Sequence, residues 1–128
     1  MLEDDYSYWA ILIAGLLPYC FTVLAKAGRM KLEDNKDPRA FLETLDGYRK
    51  RADNAQRNSF ESFPLFAAGV LVAHQGGDAL SLFWLNLLCF SYLAFRILYG
   101  AAYLKDWPDL RSLVWTGGIA SSVGLFFL

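Results

Sequence analysis

Residues 6–25, YSYWAILIAGLLPYCFTVLA, hold no charged side chain, and this run limits the possible folds more than any other feature of the chain. At 1.5 Å per residue, a helix of that length crosses a hydrocarbon core of roughly 30 Å. The charges are sorted accordingly: nearly all fall within residues 3–5, 26–61 and 96–111. A second long apolar stretch covers residues 79–104, and a shorter one ends the chain. Between the first two, the clean apolar part is only residues 63–73, about half a span. It crosses a bilayer only if its helix begins near Gly47 and carries a polar face along. The expectation is an all-α integral membrane protein, one four-helix bundle over residues 1–128, with spans near 6–25, 52–75, 79–104 and 112–128.

Composition supports this. The chain is 55% hydrophobic with a net charge of only −1, too apolar for an ordinary soluble domain and without the basic field that draws in nucleic acid. Cys20 and Cys89 lie inside apolar runs with no second Cys or His at ligand spacing, so neither a disulfide framework nor a metal site is expected. Both read as buried small hydrophobes, and His74 as a polar helix terminus without an acidic partner at helical spacing. Glu3, Asp4 and Asp5 stand where a signal peptide would need basic residues. Seven Lys and Arg, among them Lys26, Arg29, Arg39 and Arg49, occupy the first connection, and none occupies the second around residues 74–78. Connections one and three therefore face the cytoplasm, and both termini face away from it.

The informative segment is residues 47–66, GYRKRADNAQRNSFESFPLF. At 100° per residue, Arg51, Asn54, Asn58 and Glu61 project within an arc of about 80°, and Arg57 widens it to about 120°. Charges at membrane depth are costly, so these groups should point into the bundle or a wet cavity. A matching face on the third span holds Tyr92, Arg96, Tyr99 and Tyr103. Arg96 could simply neutralise Glu61 in a structural ion pair. Yet Arg51, Arg57, Arg96 and Arg111 outnumber Glu61 and Asp53, leaving a cationic surplus that suits an anionic ligand. Arginines for carboxylates, Asn58 for an amide, Glu61 for an ammonium and phenols as extra donors together fit a peptide-like zwitterion with two carboxylates and one amine, such as glutathione.

Residues 55–66, AQRNSFESFPLF, closely resemble the second-helix signature of the MAPEG family, the membrane-associated proteins in eicosanoid and glutathione metabolism. The leukotriene-synthase branch of that family carries A-Q-x-N-x-x-E-x-F-P-L-F there. Arg51 matches the arginine preceding that run, and Arg96, Tyr99 and Tyr103 resemble the third-helix pattern R-x-x-Y-x-x-x-Y. The resemblance implies a homotrimer of four-helix subunits with glutathione as co-substrate, bound between neighbours near the cytoplasmic side. Arg51, Asn58, Glu61, Tyr99 and Tyr103 would contact it, with Arg96 as contact or support. Asn54 belongs to the same binding face but stands where several members have arginine. In the family, an arginine at the start of the fourth helix stabilises the thiolate. Arg111 is the nearest match, one residue further from Tyr103 than in the leukotriene branch. Ser112 follows it, as a serine does in the prostaglandin-synthase branch, so Arg111, Ser112 and Tyr103 form the expected catalytic set. The implied activity is a glutathione transferase or peroxidase acting on a hydrophobic electrophile from the lipid phase. The alternative is a non-catalytic lipid-binding or scaffold protein of the same fold, which would not need to keep Arg51, Arg96 and Arg111 together.

Overall fold

A computed structural model describes residues 4–128, so Glu3, part of the acidic N-terminal argument, lies outside the described residues. Among these residues the chain is 82% helix with no strands. Helix α1 spans Ser7–Lys26, α2 is the short Pro38–Glu43, α3 spans Gly47–His74, α4 Leu82–Leu104 and α5 Pro108–Leu125. Two 3-10 turns, Leu32–Lys36 and Gly77–Ala79, lie in the first and second connections.

Each boundary has a local cause. Helix α1 starts where the Asp5 carboxylate accepts from the Ser7 backbone N–H at 2.9 Å. Its last turn is capped from α3, because Arg49 donates to the carbonyls of Ala25 at 3.2 Å and Ala27 at 2.6 Å. Pro18 removes one helical donor, yet it is buried on the packed face and α1 continues through it. Helix α4 begins after Ser81, whose hydroxyl accepts from the Trp84 N–H. Helix α5 begins at Pro108 with Asp109 in its first turn, ahead of the apolar residues, because proline at the first helical position and an early carboxylate both favour a start there.

Two helices are long and apolar enough to cross a membrane, α1 and α4. Only 28% and 33% of their apolar windows are buried, so neither is the shielded core helix of a soluble protein. Trp9, Leu16 and Val23 on α1, and Phe83, Phe90 and Ile97 on α4, instead face outward as an apolar jacket. Helix α3 is different. Its 28 residues reach about 42 Å, longer than a hydrocarbon core, and its first half is polar.

Helix α1 packs mainly on α3, α4 packs on α5, and α3 touches both α4 and α5. Phe66 and Tyr92 stack at 3.9 Å in the middle of the α3–α4 contact. Close approach relies on small residues. A Cβ on Gly100 would collide with the Phe21 ring, and one on Gly117 would come within 2.7 Å of Phe95.

Two expectations are corrected here. Cys20 is exposed on the outer face of α1, since that face has nothing packed against it, whereas Cys89 is buried. His74 does have an acidic partner, but 69 positions away, where no helical spacing would reveal it: its Nε2 lies 3.4 Å from Asp5 and 2.9 Å from the Ser7 hydroxyl. Ser7 donates to Asp5 at 2.6 Å, so its oxygen accepts from His74. That direction is the reverse of nucleophile activation, and the fully buried Ser7 is a fastener between α1 and α3.

The Gly100 contact gives a direct check. Gly100→Ala should lower stability by about 1–3 kcal/mol through overpacking, read as a fall in the thermal midpoint in detergent. Adding Phe21→Leu should recover part of that loss; a single substitution without effect would remove the contact from the α1–α4 interface.

Candidate functional site

The largest fully buried side chain among the described residues is Arg96, with 2% of its surface exposed. Helix α4 aims it at α3, where Nη2 donates to the Asn58 side-chain oxygen at 2.9 Å and to the Ser59 hydroxyl at 3.0 Å. Its guanidinium lies 4.2 Å from the Tyr99 ring centre. The Arg96–Glu61 ion pair considered from the sequence is not formed. Glu61, three residues beyond Asn58 on α3, is exposed and lines a different cavity.

From Arg96 a ladder of rings and guanidinium groups climbs toward α5. The Tyr99 and Tyr103 rings meet edge-on at 5.6 Å, and the Arg111 guanidinium sits 4.5 Å above the Tyr103 ring. The spacing of four on α4 puts the two tyrosines on one face, and the early start of α5 brings Arg111 back over them. Ser112 follows, still in the N-terminal half of α5, where the helix dipole favours negative charge.

These groups open onto a cavity of about 370 Å³ lined by Asn58, Tyr99, Arg111, Ser112, Trp115 and Thr116. Because Asn58 accepts from Arg96 through its oxygen, its amide nitrogen is left as a donor. Thr116 gives its hydroxyl proton to the Ser112 carbonyl at 2.9 Å, so it can only accept from a ligand. Ser112 keeps an exposed hydroxyl. The cavity thus combines a guanidinium, an amide donor and the Ser112 hydroxyl beside the Trp115 indole, a set suited to an anionic group next to an apolar one, with Thr116 adding an acceptor. Trp115 and Thr116 were missed by the sequence reading as site residues, although both lie four positions beyond an expected one, Arg111 and Ser112.

Three expected residues stand apart within a single chain. Arg51 donates through Nε to the Leu104 carbonyl at 3.2 Å and so caps α4. Asn54 is half-buried on the outward ridge of α3. Glu61 lines a second cavity of about 430 Å³ together with Arg39, Glu43, Asp53, Gln56 and Arg57. The polar face of α3 therefore points along the rim and outside of the single chain, not wholly into its interior. Apart from Asn58 and Arg51, the buried α3 residues on the side of α4 and α5 are small or aromatic, among them Ala55, Ser59, Ser62 and Phe66. No group of three or more potential metal ligands occurs among the described residues.

The family model described as MAPEG matches residues 6–128, essentially the whole chain, and the chain belongs to the MAPEG family. No curated protein and no solved structure matches it.

The Arg96 cluster predicts a graded response. Arg96→Lys keeps the charge but loses the fork that serves Asn58 and Ser59 together, and should cost about 1–3 kcal/mol in detergent unfolding. Ser59→Ala should cost about 1 kcal/mol. An unchanged midpoint in both variants would mean that Arg96 is not held by these partners.

Proposed function

From this family membership we propose that the chain is a glutathione-dependent transferase or peroxidase of the membrane, acting on a lipophilic substrate that arrives from the bilayer. The family includes glutathione transferases and peroxidases as well as non-catalytic members. The observation that carries the enzymatic reading is the Arg111 guanidinium, held over Tyr103 at the mouth of a cavity that also presents Asn58, Tyr99 and Ser112.

A free thiol titrates near about 8.5, so most of it is protonated at neutral pH, and the thiolate is the nucleophile. A guanidinium close to the sulfur, in a site short of water, favours the charged form. Arg111 supplies that charge, the Ser112 hydroxyl or the Tyr103 phenol supplies a hydrogen bond, and Asn58 and Tyr99 orient the peptide. In conjugation, the sulfur bonds to an electrophilic carbon while the leaving group departs with the electron pair. In peroxide reduction, the sulfur attacks the terminal hydroperoxide oxygen, the O–O bond breaks and the alkoxide leaves as the alcohol on protonation; a second glutathione thiol then displaces water from the resulting sulfenic acid to give the disulfide. Trp115 lies beside Arg111, where an apolar electrophile would enter.

The working form in this reading is a homotrimer with glutathione between neighbours. Its support is the outward ridge of α3, because Asn54 and Glu61 reach a ligand shared with the Arg111 cavity only when a second copy closes over that ridge. The lysine and arginine distribution supports four spans, with both termini on the non-cytoplasmic side.

The test is a glutathione titration of the purified protein in detergent, paired with turnover of a chlorodinitrobenzene electrophile. Arg111→Ala should lower kcat by about 100-fold while changing glutathione affinity by less than about tenfold. Turnover equal to the parent removes Arg111 from the mechanism, and no glutathione binding by the parent removes the reading altogether.

A further inference from the structure

We propose that Ser59 is a positioning residue that decides which end of the Asn58 amide is offered to the Arg111 cavity. The inference rests on the glutathione reading above for its assay and adds a residue, outside the cavity, that tunes what the cavity accepts. Ser59 is 3% exposed and does not line that cavity. Two residues that do, Asn58 and Tyr99, both touch Arg96: Asn58 accepts from Nη2 at 2.9 Å, and the Tyr99 ring centre lies 4.2 Å from the guanidinium. The orientation of one buried guanidinium is therefore felt at two points of the cavity wall.

What restrains that guanidinium decides the rest. A terminal guanidinium nitrogen carries two N–H groups. Those of Arg96 Nη2 serve the Asn58 oxygen and the Ser59 hydroxyl, the latter at 3.0 Å, while Nε has no partner among the described residues. Ser59 is thus the second point that stops the fork from turning about its bond to Asn58. The amide needs such a restraint, because its oxygen and nitrogen are nearly equal in size and only hydrogen bonds distinguish its two orientations. With the oxygen on Arg96, the nitrogen is left to donate, which suits a carboxylate or a peptide carbonyl of the ligand. Turned over, Asn58 would offer an acceptor, which repels the same groups.

The chemical type at this position matters as well. A carboxylate in place of Ser59 would also hold the fork, but it would neutralise Arg96. A hydroxyl holds the fork and leaves the positive charge uncancelled. Ser59 therefore fixes the donor polarity of the wall at Asn58 without lowering the positive charge behind it.

The test is steady-state turnover of the full chain in detergent at varied glutathione with a saturating chlorodinitrobenzene electrophile. Ser59→Ala should lower kcat/KM for glutathione about fivefold, the worth of one hydrogen bond, through a higher KM, with kcat changed by less than about twofold. Asn58→Asp is the background that separates positioning from packing. Its two carboxylate oxygens are equivalent, so turning the group over changes nothing, and Arg96 keeps a partner. There Ser59→Ala should change kcat/KM by less than about twofold. Read below saturation, kcat/KM stays measurable even where KM is out of reach. A loss of the same size in both backgrounds, or a fall in kcat in place of the rise in KM, means that Ser59 acts through packing and overturns the proposal. An unchanged kcat/KM in Ser59→Ala alone also overturns it. No turnover by the parent is a different outcome, and it removes the glutathione reading itself.

Discussion

A fully buried arginine held without a carboxylate organises this molecule. Removing a guanidinium from water is expensive, and an ion pair is the usual remedy. Here the Nη2 of Arg96 donates to the Asn58 oxygen and the Ser59 hydroxyl and the guanidinium lies on the face of Tyr99, while its Nε is buried without a hydrogen-bond partner among the described residues. Making these contacts fixes the register of α4 on α3, because only one rotation of each helix brings those groups together. It also gives the Asn58 amide a fixed orientation and aligns Tyr99. Tyr99 in turn meets Tyr103, and Tyr103 carries Arg111. The candidate activating arginine on α5 is thus connected to a structural arginine on α4 through ring contacts, on top of the packing of α5 against α4. No carboxylate takes part, so the positive charge of the site is not cancelled internally and is available to a ligand.

The same chain of contacts explains why α3 tolerates a polar half. A helix of 28 residues exceeds the hydrocarbon thickness by about two turns, so its first turns can stand at the level of the headgroups and the basic first connection. There Arg49 caps α1 and Arg51 caps α4, each by donating to carbonyls at a neighbouring helix end. The charged end of α3 ties down the termini of two other helices. At the opposite end, Asp5, Ser7 and His74 fasten α1 to α3 under the stacked ring of Tyr8. Polar groups are thus concentrated at the two ends of the helices, with the Arg96 cluster between them.

How much of this could be read beforehand depended on the range of the interaction. The apolar runs marked α1 and α4 because length and hydropathy are local properties, and the spacing of Arg96, Tyr99 and Tyr103 placed them on one helical face for the same reason. The family was legible in residues 55–66, where polar types and spacing combine. Three things escaped. The His74–Asp5 contact joins residues with no periodic relation. The partners of Arg96 could not be chosen between Glu61 and the neutral pair Asn58 and Ser59, because a wheel of 100° per residue gives direction around α3 but not which side α4 approaches from. Trp115 was not singled out as a site residue, and its place beside Arg111 follows only from the early start of α5 at Pro108, which periodicity does not fix to the turn.

The outward ridge of α3 remains to be accounted for physically. Asn54, Arg57 and Glu61 are among the groups least tolerant of hydrocarbon, and only Arg57 has a carboxylate beside it, from Asp53. Length alone could raise residues near Gly47 above the bilayer, but Glu61 lies about 20 Å further along the helix, where the apolar half begins. Facing lipid there would cost several kcal/mol for an uncompensated charge. A neighbouring copy removes that cost only if it presents donors to Glu61, and the single chain shows where a donor-rich surface exists, at the Arg111 cavity. Any surface that covers this ridge therefore has to present donors, since a carboxylate-bearing one would set like against like.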